Sequence, residues 1–143
     1  FHATSAATAL ATRLAAKIKT ATPTLSMLSV RGMMVHSAKW TPEMIRIGNI
    51  KDIIPLCGYG VPDEETALFS NEKYATFIFE NELIPYWEKD GSNTYNQLHF
   101  YDLPWPTEVL EQMGEENVKI RITLSYYVKP SPGYMFTVIL LST

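Results

Sequence analysis

Among these 143 residues, the first side chain that could do chemistry is Ser5, in the stretch Ala3-Thr4-Ser5-Ala6-Ala7-Thr8-Ala9-Leu10. Leu10, Leu14 and Ile18 follow at four-residue intervals, with Ala7, Ala11 and Ala15 between them, which is one apolar face of a helix of period 3.6. Thr12, Arg13 and Lys17 take the polar side, and Lys17 and Lys19 stand near the C-terminal end, where cations suit the helix dipole. The spacing predicts a buried, Ala-flanked helix with Ser5 at its mouth. A hydroxyl there can cap the helix by accepting an orphan backbone N–H. It can also act as a nucleophile, because the free N–H groups and positive dipole end of a helix N-terminus suit an oxyanion forming beside it. The second role needs a base. His36 is the histidine of the helical half to weigh for it, but a His at a helix C-terminus is accounted for by the dipole alone. Spacing leaves both roles of Ser5 open.

Other reactive groupings are sparse. His2, His36 and His99 do not stand at metal-ligand spacing with Cys57 or with a pair of acids, so no metal site is expected. Glu64-Glu65 and Glu115-Glu116 fall in turns, where solvated charge is the default. Gly58 and Gly60 flank Tyr59 and read as backbone conformations or close approaches that a Cβ would obstruct; without a lysine they make a poor phosphate cradle. No cofactor is implied. The net charge of −3, with no basic run, argues against nucleic acid or an anionic membrane as partner. No apolar stretch reaches membrane-spanning length, the longest lying near Val138 to Leu141. Cys57 is alone, which excludes an internal disulfide and is compatible with a reducing, cytoplasmic compartment.

The elements that must position Ser5 follow from patterning. Hydrophobic residues make up 46% and charged residues 19%, enough for a packed core and too apolar for disorder. Pro23 separates the first helix from a second over about Leu25 to Ser37, with Thr24 as N-cap and Met27, Val30 and Met34 on the buried face, widened by Leu28 and Met33. Gly32 inside it costs about 1 kcal/mol relative to Ala unless it permits a close contact. Thr41-Pro42-Glu43 is a helix start; Ile50 to Leu56 reads as a strand or a loop; Pro62-Asp63-Glu64-Glu65 opens a turn carrying Ala67 and Leu68.

Near Ser70-Asn71 the composition shifts to β-branched and aromatic residues. Strands are predicted over Tyr74 to Phe79, Leu83 to Trp87 (with Pro85 at an edge or bend) and Asn96 to Tyr101, with a turn over Glu88 to Thr94. Leu103-Pro104-Trp105-Pro106 should be rigid and extended, and Thr107 to Met113 a short helix closed by Gly114. From Val118 to Leu124 the alternation is clearest: Val118, Ile120, Ile122 and Leu124 point one way, Lys119, Arg121, Thr123 and Ser125 the other. A turn at Lys129 to Gly133 and a strand from Tyr134 to Leu141 complete an antiparallel hairpin. Trp87, Trp105, Tyr126 and Tyr127 could form a ligand surface, but core and edge packing of a β-sandwich is the simpler assignment.

Ala3-Thr4-Ser5-Ala6-Ala7-Thr8 resembles the Gly-Thr-Ser-x-Ala-Thr/Ser-Pro signature around the nucleophile of the subtilisin-like serine proteases, the subtilases, with Ala3 in place of Gly and Ala9 in place of Pro. Ala21-Thr22-Pro23-Thr24, the second helix ending in Val35-His36-Ser37-Ala38, and Cys57-Gly58-Tyr59-Gly60-Val61-Pro62 with Ala67 resemble the segments that follow in that family. His36 to Thr41 and Leu103 to Pro106 resemble a bacterial branch with a β-rich extension. The resemblance implies an α/β subtilisin-like fragment over 1–69, the helical C-terminal part of the catalytic domain. A mainly antiparallel, β-sandwich-like region over 70–143 follows, expected to need further strands or an oligomer at its edges. The chain starts inside the motif and so reads as a fragment or a proteolytic product.

The resemblance further implies peptide-bond hydrolysis through an acyl-enzyme, with Ser5 as nucleophile and Thr4 assisting the oxyanion site. The family's Asp, His and oxyanion Asn precede the Ser and have no counterpart here, so the chain alone is expected to be inactive. Its partners would be a peptide or protein substrate and the remainder of its own catalytic domain. Calcium, common in subtilases, has no readable motif. The alternative is a degenerate protease scaffold whose β half docks substrates, a partner such as an ATPase, or a second copy.

Overall fold

The structure, a computed structural model, describes residues 3–70, 74–84, 86–104, 106–114, 118–128 and 135–142. The helices are α1 (Thr4–Ala21), α2 (Met27–His36), α3 (Pro42–Ile45), α4 (Ile50–Cys57), α5 (Glu64–Leu68) and α6 (Thr107–Met113). The strands are β1 (Thr76–Leu83), β2 (Tyr86–Lys89), β3 (Ser92–Tyr95), β4 (Arg121–Val128) and β5 (Met135–Ser142).

Local chemistry explains most boundaries. Ser26 rather than Thr24 caps α2, its Oγ accepting from the Ser29 N–H at 3.1 Å. Thr41 caps α3 and Asp63 caps α5, whose Thr66 N–H donates to the Asp63 carboxylate at 2.8 Å. The stretch from Ile50, expected as strand or loop, is the helix α4. Asn49 and Asp52 form a capping box, with the Lys51 N–H donating to Asn49 Oδ1 at 2.9 Å and the Asn49 N–H to the Asp52 carboxylate at 3.4 Å. Gly60 is required where the chain crosses itself. Its φ is +101°, and a Cβ would lie 2.3 Å from the Lys39 carbonyl oxygen, beside the antiparallel bridge between Lys39 and Val61.

The core lies where α1, α2 and α5 meet. Leu14 and Ile18, Leu25, Val30 and Met33, and Ala67 are buried together, and Ile78 of β1 packs against them. The β strands form a three-stranded antiparallel sheet in the order β1-β5-β4, with register Phe79↔Ile139 and Leu124↔Ile139, and a separate β2–β3 hairpin. In that hairpin Asp90 and Gly91 take φ of +54° and +74°, the two positive values an Asp-Gly turn between twisted strands demands. This turn is tighter than the expected Glu88 to Thr94, and residues 96–101 are not a strand. The second layer against the sheet is α2; a β-sandwich is not shown. Pro85, Trp105, Glu115-Glu116 and the turn Lys129 to Gly133 lie outside the described residues.

The sheet meets α2 with its polar side. The Arg31 guanidinium of α2 donates to Ser125 Oγ at 3.0 Å and to the Tyr126 carbonyl at 2.8 Å, and His36 Nδ1 lies 2.8 Å from Thr123 Oγ1. Arg121 donates to the carbonyls of His36 and Ala38 at 2.6 and 3.0 Å, closing the C-terminal end of α2. At the other end Glu80 of β1 accepts from the Ser26 N–H at 2.9 Å and from the Ser29 hydroxyl. Burial works to raise the Glu80 carboxyl, but these hydrogen bonds outweigh it and hold it below the usual range. Gly32 is buried on the packed side of α2 and spares the helix a side chain there. The apolar residues of β4 face outward: Ile122, Leu124 and Tyr126 are 68%, 54% and 51% exposed. Trp87 and Tyr127, expected in core or edge packing, are likewise exposed.

An acid at the start of α2 and a cation at its end both match the helix dipole. Arg121→Gln should lower stability by about 2 kcal/mol, since it removes the charge and leaves two helix-end carbonyls unpaired. Glu80→Gln should cost about 1 kcal/mol. Urea unfolding of each variant measures this; unchanged midpoints would mean that packing alone seats α2.

Candidate active site

Ser5 is the second residue of α1, and it is exposed. The residue before the helix is Ala3, with φ −108° and no side-chain cap. The first intrahelical bond runs from the Ala7 N–H to the Ala3 carbonyl at 3.0 Å, so the N–H groups of Thr4, Ser5 and Ala6 precede the ladder. Thr8 returns its hydroxyl to the Thr4 carbonyl at 2.9 Å, and Thr12 does the same to Thr8. Among the described residues the Ser5 hydroxyl has no hydrogen-bond partner and caps nothing, so the capping alternative lacks the bond it requires.

The helix that carries Ser5 is anchored at its far end. Leu14 and Ile18 are buried, Lys19 donates to the carbonyls of Pro23 (2.7 Å) and Leu25, and Lys17 pairs with Glu64 of α5, with Arg13 4.0 Å from the same carboxylate. The hydrogen bond from Lys17 holds the Glu64 carboxyl below its ordinary value. The expectation that the whole helix is buried is corrected here: Leu10, on the same face as Leu14, is 63% exposed, and Ala7 and Ala11 are exposed with it. Among the described residues no element covers the first half of α1.

Among the described residues the structure brings no base to Ser5. His36 is buried at the C-terminal end of α2, in contact with Thr123, and among the described residues its Nε2 has no partner. Burial, reinforced by the Arg121 charge, lowers its pKa from 6.5 to about 4. It is therefore a neutral core residue, and the cation at the helix end is Arg121. His99 is exposed and meets the edge of Tyr101, while His2 lies outside the described residues. Among the described residues no group of three or more His, Cys, Asp or Glu could hold a metal ion, and no helix is long and apolar enough to cross a membrane.

The family model for the subtilases, peptidase family S8, matches residues 1–80, more than half of the chain. The chain belongs to the subtilase family. That is a family of serine proteases, and the matched residues include Thr4, Ser5 and all of α1 to α5. No curated protein and no solved structure shows a match to the chain.

Two arginines that no sequence motif marks matter to the subtilase's architecture. Arg31 belongs to no motif, and the alternation places Arg121 only on the polar side of its strand. The alternation Lys119, Arg121, Thr123, Ser125 held the signal. A polar strand face opposite a helix carrying Arg31, His36 and Ser29 is a matched pair of surfaces.

The buried His36 makes stability depend on pH with a definite sign. Its folded pKa is depressed, so the unfolded chain takes up the proton first as pH falls. Stability is intact above the unfolded value of 6.5 and is lost progressively as pH falls toward about 4. Between pH 7 and pH 5 the loss should be about 2 kcal/mol, and His36→Gln should remove this pH-dependent part. Urea unfolding at the two pH values, wild type against variant, measures it; an identical pH dependence in both would place the titration elsewhere.

Proposed function

We propose that this chain is part of a serine endopeptidase that hydrolyses peptide bonds through an acyl-enzyme, with Ser5 as the nucleophile. The observation that carries the reading is the place of Ser5. It lies inside the family-matched residues, in the Thr-Ser-x-Ala-Thr pattern, with its hydroxyl unengaged among the described residues and beside backbone N–H groups that precede the helical ladder. The Ser5 Oγ attacks the scissile carbonyl while a histidine outside these residues takes its proton. An aspartate orients that histidine, and an asparagine completes the oxyanion hole. The Ser5 N–H and the Thr4 side chain support the oxyanion from this side, and the dipole of α1 adds positive potential where the negative charge develops. Transfer of the histidine's proton expels the leaving amine, and water then hydrolyses the acyl-enzyme. Ala3 fits this role without strain, since a φ of −108° is open to any L-residue.

Residues 1–69 serve in this reading as the last part of the catalytic domain, and residues 70–143 as an appended β-rich domain. The partners are a peptide or protein substrate and the remainder of the catalytic domain. The exposed Leu10 supports the second, because it continues the stripe of the buried Leu14 and Ile18 and is left for another surface to cover. No cofactor takes part in the proposed chemistry.

The chain by itself should show no hydrolysis of a fluorogenic peptide, because it holds a nucleophile without a base. The longer protein with the complete catalytic domain should hydrolyse it, and Ser5→Ala should lower kcat by about 10⁴-fold or more with the protein still folded. Thr4→Ala should cost up to about 10²-fold in kcat. Activity in the isolated chain that is lost on Ser5→Ala, or activity of the longer protein that survives the substitution, overturns the assignment.

A further inference from the structure

Beside β4 runs a groove of about 660 Å³ whose lining includes residues of both parities of that strand, Arg121 and Thr123 as well as Ile122 and Leu124. A space alongside the strand's edge touches both. In the sheet order β1-β5-β4 that edge has no strand beyond it among the described residues. Val35 of α2, Trp40 and Tyr59 also line it. Unpaired edges are usually blunted by charged side chains, Pro, a bulge or a covering loop; β4 carries Arg121 on its inner side but no Pro, and its outward side chains, Ile122, Leu124 and Tyr126, are apolar and exposed.

The charge of the groove selects its occupant. Arg31 and Arg121 line it, and every acceptor they have among the described residues is neutral: Ser125 Oγ and the carbonyls of Tyr126, His36 and Ala38. The third cation, Lys39, lies 3.4 Å from Asp63 and is balanced. Two guanidinium charges therefore face the groove without a carboxylate. A second copy adding its own β4 would bring two more arginines to the same edge, which like charge opposes.

We propose that the free edge of β4 binds an extended acidic–apolar peptide segment of a partner protein as an added strand. Main-chain hydrogen bonds to β4 supply the register. Alternate side chains then fall into two rows. One row, on the side of Arg121, Thr123 and Ser125, is acidic and meets Arg31 and Arg121. The other lies on the outer face with Ile122, Leu124 and Tyr126 and is apolar. The site uses none of the residues assigned to peptide hydrolysis, so it stands or falls independently of Ser5.

The test is fluorescence anisotropy of a labelled peptide of alternating valine and aspartate, as long as β4, titrated with the 143-residue chain. Saturable binding that weakens with salt is expected. Replacing aspartate by lysine, or N-methylating alternate backbone amides of the peptide, should each weaken it about tenfold or more. Arg31→Gln, checked for folding by circular dichroism, should do the same. The peptide controls read the outcome without altering the protein. Absence of saturable binding, equal binding of the lysine or N-methylated peptide, or a chain already dimerised through this edge in sedimentation velocity overturns the proposal.

Discussion

The arrangement depends on how the two ends of α2 are held. Its N-terminus meets the carboxylate of Glu80 and its C-terminus the guanidinium of Arg121, from the outer strands β1 and β4 of one sheet. Both charges have the sign that a helix dipole favours, and both satisfy backbone or cap groups that burial would otherwise leave unpaired. The partners lie 54 and 85 residues away in sequence, so these bonds tie the helical start of the chain to its strands. With α2 fixed, Val30 and Met33 face α1 and α5, and Arg31, His36 and Ser29 face the sheet.

From that seat the position of Ser5 follows. The C-terminal half of α1 is fixed by Leu14 and Ile18 against α2 and α5, by Lys17 on Glu64, and by Lys19 on the turn into α2. The N-terminal half extends as a rigid rod. At 1.5 Å per residue Ser5 stands roughly 13 Å along the axis from Leu14. The helix thus presents its uncapped N-terminus beyond the other described residues. A nucleophile completed by groups from elsewhere in a catalytic domain needs that presentation. Leu10, on the face of the buried Leu14 and Ile18, stays exposed along this half.

Much of this was legible in the residues. The four-residue spacing from Leu10 to Ile18 gives α1, and Thr41-Pro42-Glu43 and Asp63-Glu64-Glu65 give the starts of α3 and α5, because caps are local chemistry. Thr107 to Met113 with Gly114 gives α6, and the alternation after Val118 gives an antiparallel pair. The family was legible from the Thr-Ser-x-Ala-Thr pattern and its sequel. Other features needed partners far away in sequence. The pattern at β4 states two faces but not which one is inside. The usual rule buries the apolar side, yet here the polar side docks because α2 offers Arg31, His36 and Ser29 to it. Its place at a helix end marks His36 as a dipole-compensating cation, but burial, reinforced by the Arg121 charge, keeps it neutral, and Arg121 fills that place. The helix α4 is not legible in the short apolar run Ile50 to Leu56, which reads equally as strand or loop; the capping box of Asn49 with Asp52 makes it a helix.

The most direct measurement of the central claim is fluorophosphonate labelling of the longer protein, followed by digestion and mass spectrometry to find the modified residue. The probe reacts only with an activated serine. The account predicts a single adduct on the peptide that contains Ser5. An adduct elsewhere, or none on a folded protein, would contradict it and leave Ser5 as an uncapped first-turn residue of an inactive scaffold.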